Sequence, residues 1–220
     1  MKTVLLVGSP KGKASTSVGL GRALLERMGE DAAEIAYIYP ALRSEEKLNT
    51  LYQAVGEAEL VLLAAPLYVD GVPGGTLRFM EGLAHYRKAH EGERNQRLAV
   101  IVNCGFPEAT QNETALRIYG RFAEKAGFEW AGGVAVGAGT AVLSQGLSEP
   151  KGMVADVVTT LDEVAAALTA RRPLARKGIA LAQPRIPPRM YAFMGKVGWW
   201  LSARKNGVLG KLGATPYANG

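Results

Sequence analysis

Short apolar runs without internal alternation recur along the first 170 positions, and segments with helical spacing separate them. Residues 3–7 (TVLLV), 60–65 (LVLLAA) and 98–103 (LAVIVN) are almost wholly apolar. A strand wet on one face alternates and a strand covered on both does not, so these runs predict buried strands of a parallel sheet. Residues 33–39, ended by Pro40, and the Gly-rich stretch 132–137 predict a second and a fifth strand. Helical periodicity fits 17–28, stopped by Gly29, and 44–57, opened by Ser44 with Glu46 and Lys47. It fits again over 72–88 with Pro73 in the first turn, 112–126 stopped by Gly127, and the alanine-rich 151–170. Proline early and glycine just past the end are the expected punctuation of helices. Strands alternating with helices define right-handed βαβ units, hence an α/β fold with a doubly wound, five-stranded parallel sheet. The predicted domain is 1–170.

Composition narrows the function classes. With 48% hydrophobic and 21% charged residues in 220, the chain is globular rather than fibrous or disordered. Its single cysteine excludes a disulfide framework, a Cys₄ zinc site and a cysteine-ligated iron–sulfur cluster within one chain. The apolar start is too short for a signal-peptide core, and no run approaches the roughly 18 residues of a spanning helix. A reduced, cytoplasmic compartment is the expectation.

The net charge of +6 is unevenly spread. Ten of the 26 lysines and arginines, and none of the 20 acids, fall in 171–220, so residues 1–170 carry a net −4. The second predicted segment is therefore a basic C-terminal extension, 171–220. Pro184, Pro187 and Pro188 break it early, and Tyr191, Phe193, Trp199 and Trp200 follow among Lys196, Arg204 and Lys205. Aromatics disfavour disorder. No nucleic-acid motif accompanies the charge, so no nucleic-acid partner is expected. Packing on protein, with both tryptophans at least half shielded, is expected. Peripheral contact with the inner face of a membrane is the alternative.

Ligands of open α/β sheets bind beyond the carboxyl ends of the strands, where strand order reverses. The loops after the first, third and fourth strands are therefore the candidates. The first, Gly8-Ser9-Pro10-Lys11-Gly12-Lys13-Ala14-Ser15-Thr16-Ser17, combines hydroxyls and lysines with a helix N-terminus, an anion site. It is one residue short of G-x-x-x-x-G-K, and Ala14 stands where a magnesium-binding hydroxyl belongs. It is not G-x-G-x-x-G either. A terminal phosphate monoester suits it; a plain loop with a hydroxyl N-cap is the alternative. The second loop, Pro66-Leu67-Tyr68-Val69-Asp70-Gly71-Val72-Pro73-Gly74-Gly75, presents apolar and aromatic groups suited to a flat aromatic ligand, unless Tyr68 packs on its own helix. The third, Asn103-Cys104-Gly105-Phe106-Pro107-Glu108, offers an amide and a glycine that lets backbone N–H groups approach a ligand.

As a set, GSPKGKASTS, PLYVDGVPGGTLRFME and NCGFPE resemble the flavodoxin-like NAD(P)H-dependent oxidoreductases, the FMN-reductase and quinone-reductase superfamily. The resemblance covers about residues 1–170 and implies strand order 2-1-3-4-5. It implies FMN as cofactor and NAD(P)H as co-substrate, passing two electrons to a quinone-like or other small acceptor. It points to Ser9, Lys11, Ser15, Thr16 and Ser17 for the FMN phosphate. Pro66, Leu67, Tyr68 and Val69 would flank the isoalloxazine, and Asn103, Cys104, Gly105 and Phe106 its pyrimidine side. Tyr68 and Phe106 would wall the substrate-stacking site, with no catalytic side chain and no metal required. Lys11 stands where such proteins often have arginine, and Ser15 where they often have asparagine. Iron–sulfur relatives carry cysteines between the second and third strands, and this chain has none there. A homodimer is expected. The alternative function is a flavodoxin-like electron carrier whose basic tail docks an acidic partner or an anionic membrane.

Other signals are weaker. Cys104 reads as a buried cysteine whose backbone matters more than its sulfur. His85 and His90, five apart, do not share a helical face and read as solvated, as do the pairs Glu45/Glu46 and Glu91/Glu93. Gly137-Ala138-Gly139-Thr140 either borders the pocket or is a flexible connection.

Overall fold

The computed structural model describes residues 1–90, 95–174 and 178–215; Glu91/Glu93 and the tail positions 175–177 and 216–220 lie outside them. In chain order the elements are β1 (Thr3–Val7), α1 (Thr16–Arg27), β2 (Glu34–Tyr37), α2 (Ile38–Ala41), α3 (Glu45–Glu57), β3 (Leu60–Pro66) and α4 (Gly74–Ala89). They continue with β4 (Arg97–Asn103), α5 (Glu113–Lys125), β5 (Glu129–Val136), α6 (Gly139–Ser144), α7 (Ala155–Thr169), β6 (Ile179–Ala182) and α8 (Pro188–Lys205). The strands are all parallel, in the order β2-β1-β3-β4-β5-β6.

The apolar runs form strands because their side chains fill two cores by turns. Leu5, Val7, Leu60, Leu62 and Ile101 face α1 and α7, where Leu20, Leu24, Val158 and Leu161 meet them. Val4, Leu6, Val61, Leu63 and Val100 face the other way, onto Val55, Phe79, Leu116 and Tyr119 of α3, α4 and α5. From β1 the chain first pairs β2 on one side and then places β3 on the other. The segments leaving β1 and β3 therefore diverge, and a crevice opens beyond their carboxyl ends.

The helix stops act as read. Past α1, the Gly29 N–H reaches the Glu26 carbonyl and the Glu30 N–H that of Leu25, both at 3.0 Å. Past α5, Gly127 and Phe128 repeat the pattern on Glu124 and Ala123. Both glycines have φ +70, the left-handed conformation that this ending requires. Pro73 differs: it precedes α4 as the N-cap rather than sitting in the first turn. Pro40 lies inside the single turn α2, and β2 already ends at Tyr37.

The sheet has six strands, not five. Ile179–Ala182 pairs with β5 at its edge, in register Gly133 with Ile179 to Val136 with Ala182. It is four residues long, half alanine, and follows an arginine- and proline-bearing stretch, so neither length nor β propensity marks it. The first compact unit consequently runs Met1–Arg185, and a second comprises Ile186–Gly220. Two cations of 171–185 are paired within the first unit. Arg171 bonds Glu59 at 3.2 Å, and Arg185 grips Asp156 with two bonds of 2.8 and 2.6 Å. In the second unit α8 leaves Phe193 at 66%, Trp199 at 79% and Trp200 at 45% exposure.

At the amino ends of the strands a polar network closes the sheet. Arg87 Nε and Nη2 donate to the Ala126 and Gly127 carbonyls at 2.6 and 2.9 Å, and Nη1 donates to Gln96 Oε1. Gln96 Nε2 in turn donates to the Val55, Gly56 and Ala58 carbonyls that end α3. The guanidinium also lies 3.6 Å over the Phe128 ring. Arg87→Met keeps bulk but strands these acceptors. It should destabilise the fold by about 3 kcal/mol, lowering Tm by about 6–12 °C for a domain of this size. An unchanged melting curve would show that the network contributes nothing.

Candidate functional site

The chain leaves β1 at Gly8, which is clamped to the sheet. Its N–H bonds the Ala64 carbonyl at 2.8 Å, and its carbonyl accepts from Thr76 Oγ1 at 2.9 Å. A Cβ there would stand 2.7 Å from that same hydroxyl, so glycine is required. The loop then folds on itself: Gly12 N–H bonds the Ser9 carbonyl at 3.0 Å, and Ser15 N–H bonds that of Gly12 at 3.1 Å. Ser15 caps α1, its Oγ accepting from the Val18 N–H at 3.2 Å. The amides of Thr16 and Ser17 lie in the first turn, where no carbonyl of the same helix can accept them.

Two hydroxyls of this loop tie the site together. Ser17 Oγ donates to Asn103 Oδ1 at 2.8 Å, both residues being buried, and joins the start of α1 to the end of β4. Thr16 Oγ1 lies 3.2 Å from Thr140 Oγ1 at the start of α6. Gly139 packs so closely that a Cβ would meet Asn103 Cβ at 2.9 Å and Thr16 Cγ2 at 3.2 Å, and its N–H bonds the Cys104 carbonyl at 2.9 Å. Of the alternatives open for residues 137–140, the border of the cleft is therefore the one realised.

The second loop is a tight hairpin. Tyr68 and Gly71 exchange backbone bonds of 3.1 and 3.0 Å, and Val69 and Asp70 between them have φ +47 and +58. Positive φ at both central residues is the type I′ geometry. It strains a β-branched valine. Leu67 N–H bonds the Asn103 carbonyl at 2.8 Å, so this loop is registered against the third.

A cleft of about 210 Å³ results. It takes Ser9, Lys11, Ser15, Thr16 and Ser17 from the first loop and Pro66, Leu67 and Tyr68 from the second. Asn103, Cys104 and Gly105 come from the third, and Thr140 from the start of α6. Val69 and Phe106 do not line it. Val69 sits at the hairpin crest and is fully exposed, while Phe106 is 54% exposed, its carbonyl held by the Ala138 N–H. Of the expected pair of stacking walls, Tyr68 lines the cleft and Phe106 lies outside its lining. Thr140 belongs to the 137–140 segment, for which the sequence leaves a pocket border and a flexible connection equally open.

The cleft has a mixed lining. The first loop contributes hydroxyls and Lys11, and the second contributes Pro66, Leu67 and Tyr68. No aspartate or glutamate is among the lining residues, so the hydroxyls and Lys11 can donate to an anion, and a divalent cation would find no carboxylate there. No cluster of histidine, cysteine and acidic side chains suited to a metal occurs among the described residues. His85 lies exposed on α4 and His90 just past its end, each with Nδ1 2.8 Å from a carbonyl four residues back. Gly105 is exposed with open space where a Cβ would be, which leaves its backbone accessible. Cys104 is 4% exposed, and its sulfur takes the Asn112 Nδ2–H at 3.4 Å.

The fold is flavodoxin-like. Among solved structures, the chain is similar to the apo form of an NADH:FMN oxidoreductase, with TM-score 0.58 and 15% identity over 84% of this chain and 97% of that one. It is similar to an NADPH-quinone reductase from P. pentosaceus, with TM-score 0.51 and 16% identity over 80% and 100%. A flavodoxin from Streptococcus pneumoniae gives TM-score 0.50 and 12% identity over 77% and 99%. No protein-family model and no curated protein matches the sequence.

Burial pushes the Cys104 thiol pKa above its ordinary value. The folded protein should therefore hold little thiolate at pH 8 and react with a disulfide reagent at least about a hundredfold more slowly than free cysteine. One equivalent should appear on denaturation. Rapid titration of the native protein would place the sulfur in the open cleft.

Proposed function

We propose that the chain is an FMN-dependent NAD(P)H oxidoreductase that delivers two electrons to a quinone-like or other small acceptor. The observation carrying this reading is one cleft whose lining combines hydroxyls and Lys11, without carboxylates, with Leu67 and Tyr68. That donor set fits a phosphate monoester, and the apolar groups fit a flat ring system. The neighbours described as an NADH:FMN oxidoreductase and an NADPH-quinone reductase support the same reading.

The residues divide the work. Ser9, Lys11 and Thr16, with the first-turn amides of α1, would hold the phosphate. Ser15 keeps its capping bond to Val18 and can still donate its own proton. Ser17 is spent on Asn103 and acts by holding the cleft closed at its floor. Leu67 and Tyr68 would flank the ring, and the Gly105 backbone would face its polar edge. At about 210 Å³ the cleft is smaller than the roughly 300–1,000 Å³ of enclosed ligand sites. A flavin would therefore protrude, which leaves one side open to the hydride donor and then to the acceptor. Bound FMN supplies the two-electron chemistry itself; the protein supplies position and hydrogen bonds.

Two measurements test this. Thr16→Val removes one hydroxyl of about 1.5–3 kcal/mol toward a charged group and should weaken FMN at least about tenfold while leaving riboflavin unchanged. Equal loss for both ligands would put the phosphate elsewhere. With FMN bound, NAD(P)H should bleach the flavin absorbance and a quinone should restore it. A flavin that binds but is never bleached by NADH or NADPH would make the chain an electron carrier, the role its flavodoxin-like fold equally permits.

A further inference from the structure

The second compact unit contains a helix with its own start and stop. Pro188 occupies the first helical position of α8. At the far end the Gly207 N–H reaches the Arg204 carbonyl at 3.1 Å, and the Val208 N–H that of Ala203 at 2.9 Å, with Gly207 at φ +68. Both signals are those of an autonomous helix rather than an extended tail.

On a wheel of 3.6 residues per turn, Met190, Phe193, Met194, Val197, Trp200 and Leu201 fall on one stripe about a third of the circumference wide. These six side chains are between 37% and 66% exposed. Arg189 and Lys196 border the stripe on one side and Lys205 on the other, while Arg204 lies 5.7 Å over the Trp200 ring at its C-terminal end. Five lysines and arginines and no aspartate or glutamate occur from Ile186 to Gly220. No helix among the described residues is long and apolar enough to cross a membrane.

We propose that α8 is a membrane-surface helix that lays this stripe into the headgroup boundary of an anionic bilayer. Apolar groups including Phe193 and Trp200 on one face, basic side chains along both borders and no acid in the unit are features of such a helix. Because Ala192, Gly195, Trp199, Ser202 and Ala203 make the opposite face small or apolar, the basic borders supply its polarity. The charge is what selects the occupant. Apolar groups alone would suit any apolar surface, but a rim of only cations adds attraction solely where the partner is negative, and basic residues near anionic headgroups each add to binding. Trp200 lies within the stripe, whereas Trp199, one residue on and about 100° away, faces outside it.

The test uses the full chain with vesicles of equal parts phosphatidylglycerol and phosphatidylcholine, against phosphatidylcholine alone. Sedimentation at low salt should show at least about tenfold stronger partition onto the anionic vesicles. The difference should collapse at 1 M salt, where the screening length falls to about 3 Å. Phe193→Ser with Val197→Ser should remove binding by taking away apolar contact. Lys196→Gln with Lys205→Gln should reduce binding and its salt dependence without removing the residual partition. Nitroxide-labelled lipid should quench tryptophan emission, and Trp200→Phe should abolish more of that quenching than Trp199→Phe. This last reading keeps the proposal falsifiable even if the serine variant unfolds α8. Equal partition onto neutral and anionic vesicles, or none at low salt, would overturn it. So would a dimer dissolved by the serine variant in a chain that ignores vesicles, which would give the stripe to a second copy. Displacement from vesicles onto RNA with no lipid quenching would assign the basic borders to nucleic acid instead.

Discussion

The central strands β1, β3 and β4 carry apolar side chains on both faces, and this two-sided burial is the constraint on which the rest of the first unit depends. Because both faces must be covered, helices lie on each, and every connection between parallel strands is a crossover. Every strand then ends at the same edge, and the loops after β1, β3 and β4 are delivered side by side without any of them needing a fold of its own. The opposite edge is closed by the Arg87 and Gln96 network, which satisfies the carbonyls that end α3 and α5. One end of the sheet is thus tied off by buried hydrogen bonds, and the other is left to present unpaired donors.

Within the cleft the hydroxyls do two kinds of work. Ser17 bonds Asn103, and Ser15 caps α1, so each has already spent one bond on holding protein to protein. Thr16 and Thr140 stand nearer the open space, within reach of one another. Glycines set how closely the segments approach: at Gly8, Gly137 and Gly139 one carbon more would collide with a neighbouring loop or strand end, at Gly137 with the Pro107 carbonyl itself. The strain at Val69 belongs to the same economy, since a two-residue turn is what holds Tyr68 at the apolar rim.

The charge asymmetry of the chain resolves differently in its two units. In the first, Arg171 and Arg185 pair with Glu59 and Asp156, and the basic surplus beyond residue 170 is partly neutralised there. In the second, there is no acid to pair with, and the cations stand beside exposed apolar groups. A helix with encoded ends, an apolar stripe and unneutralised cations is a surface built for something outside its own unit.

The sequence by itself determined the fold class and the loops that meet, while the order of the first five strands came from the family resemblance. Runs such as LVLLAA can be satisfied only by burial on both faces, and Gly29 and Gly127 stop helices through their own backbone freedom. Most of the residues expected at the site lie in the cleft for the same reason: strand ends are set by periodicity, and the loops start there. Only the tertiary structure decided β6, because four residues at an edge gain their pairing from β5 rather than from any propensity of Ile-Ala-Leu-Ala. It also decided that Thr140 lines the cleft and that Val69 and Phe106 do not. The direction of a side chain in a turn depends on backbone dihedrals and on contacts from distant segments, here the Tyr68–Gly71 pairing and the bond from Ala138 to Phe106. Periodicity reads which face of an element is buried, but a loop has no period, and only its neighbours in space say where its side chains point.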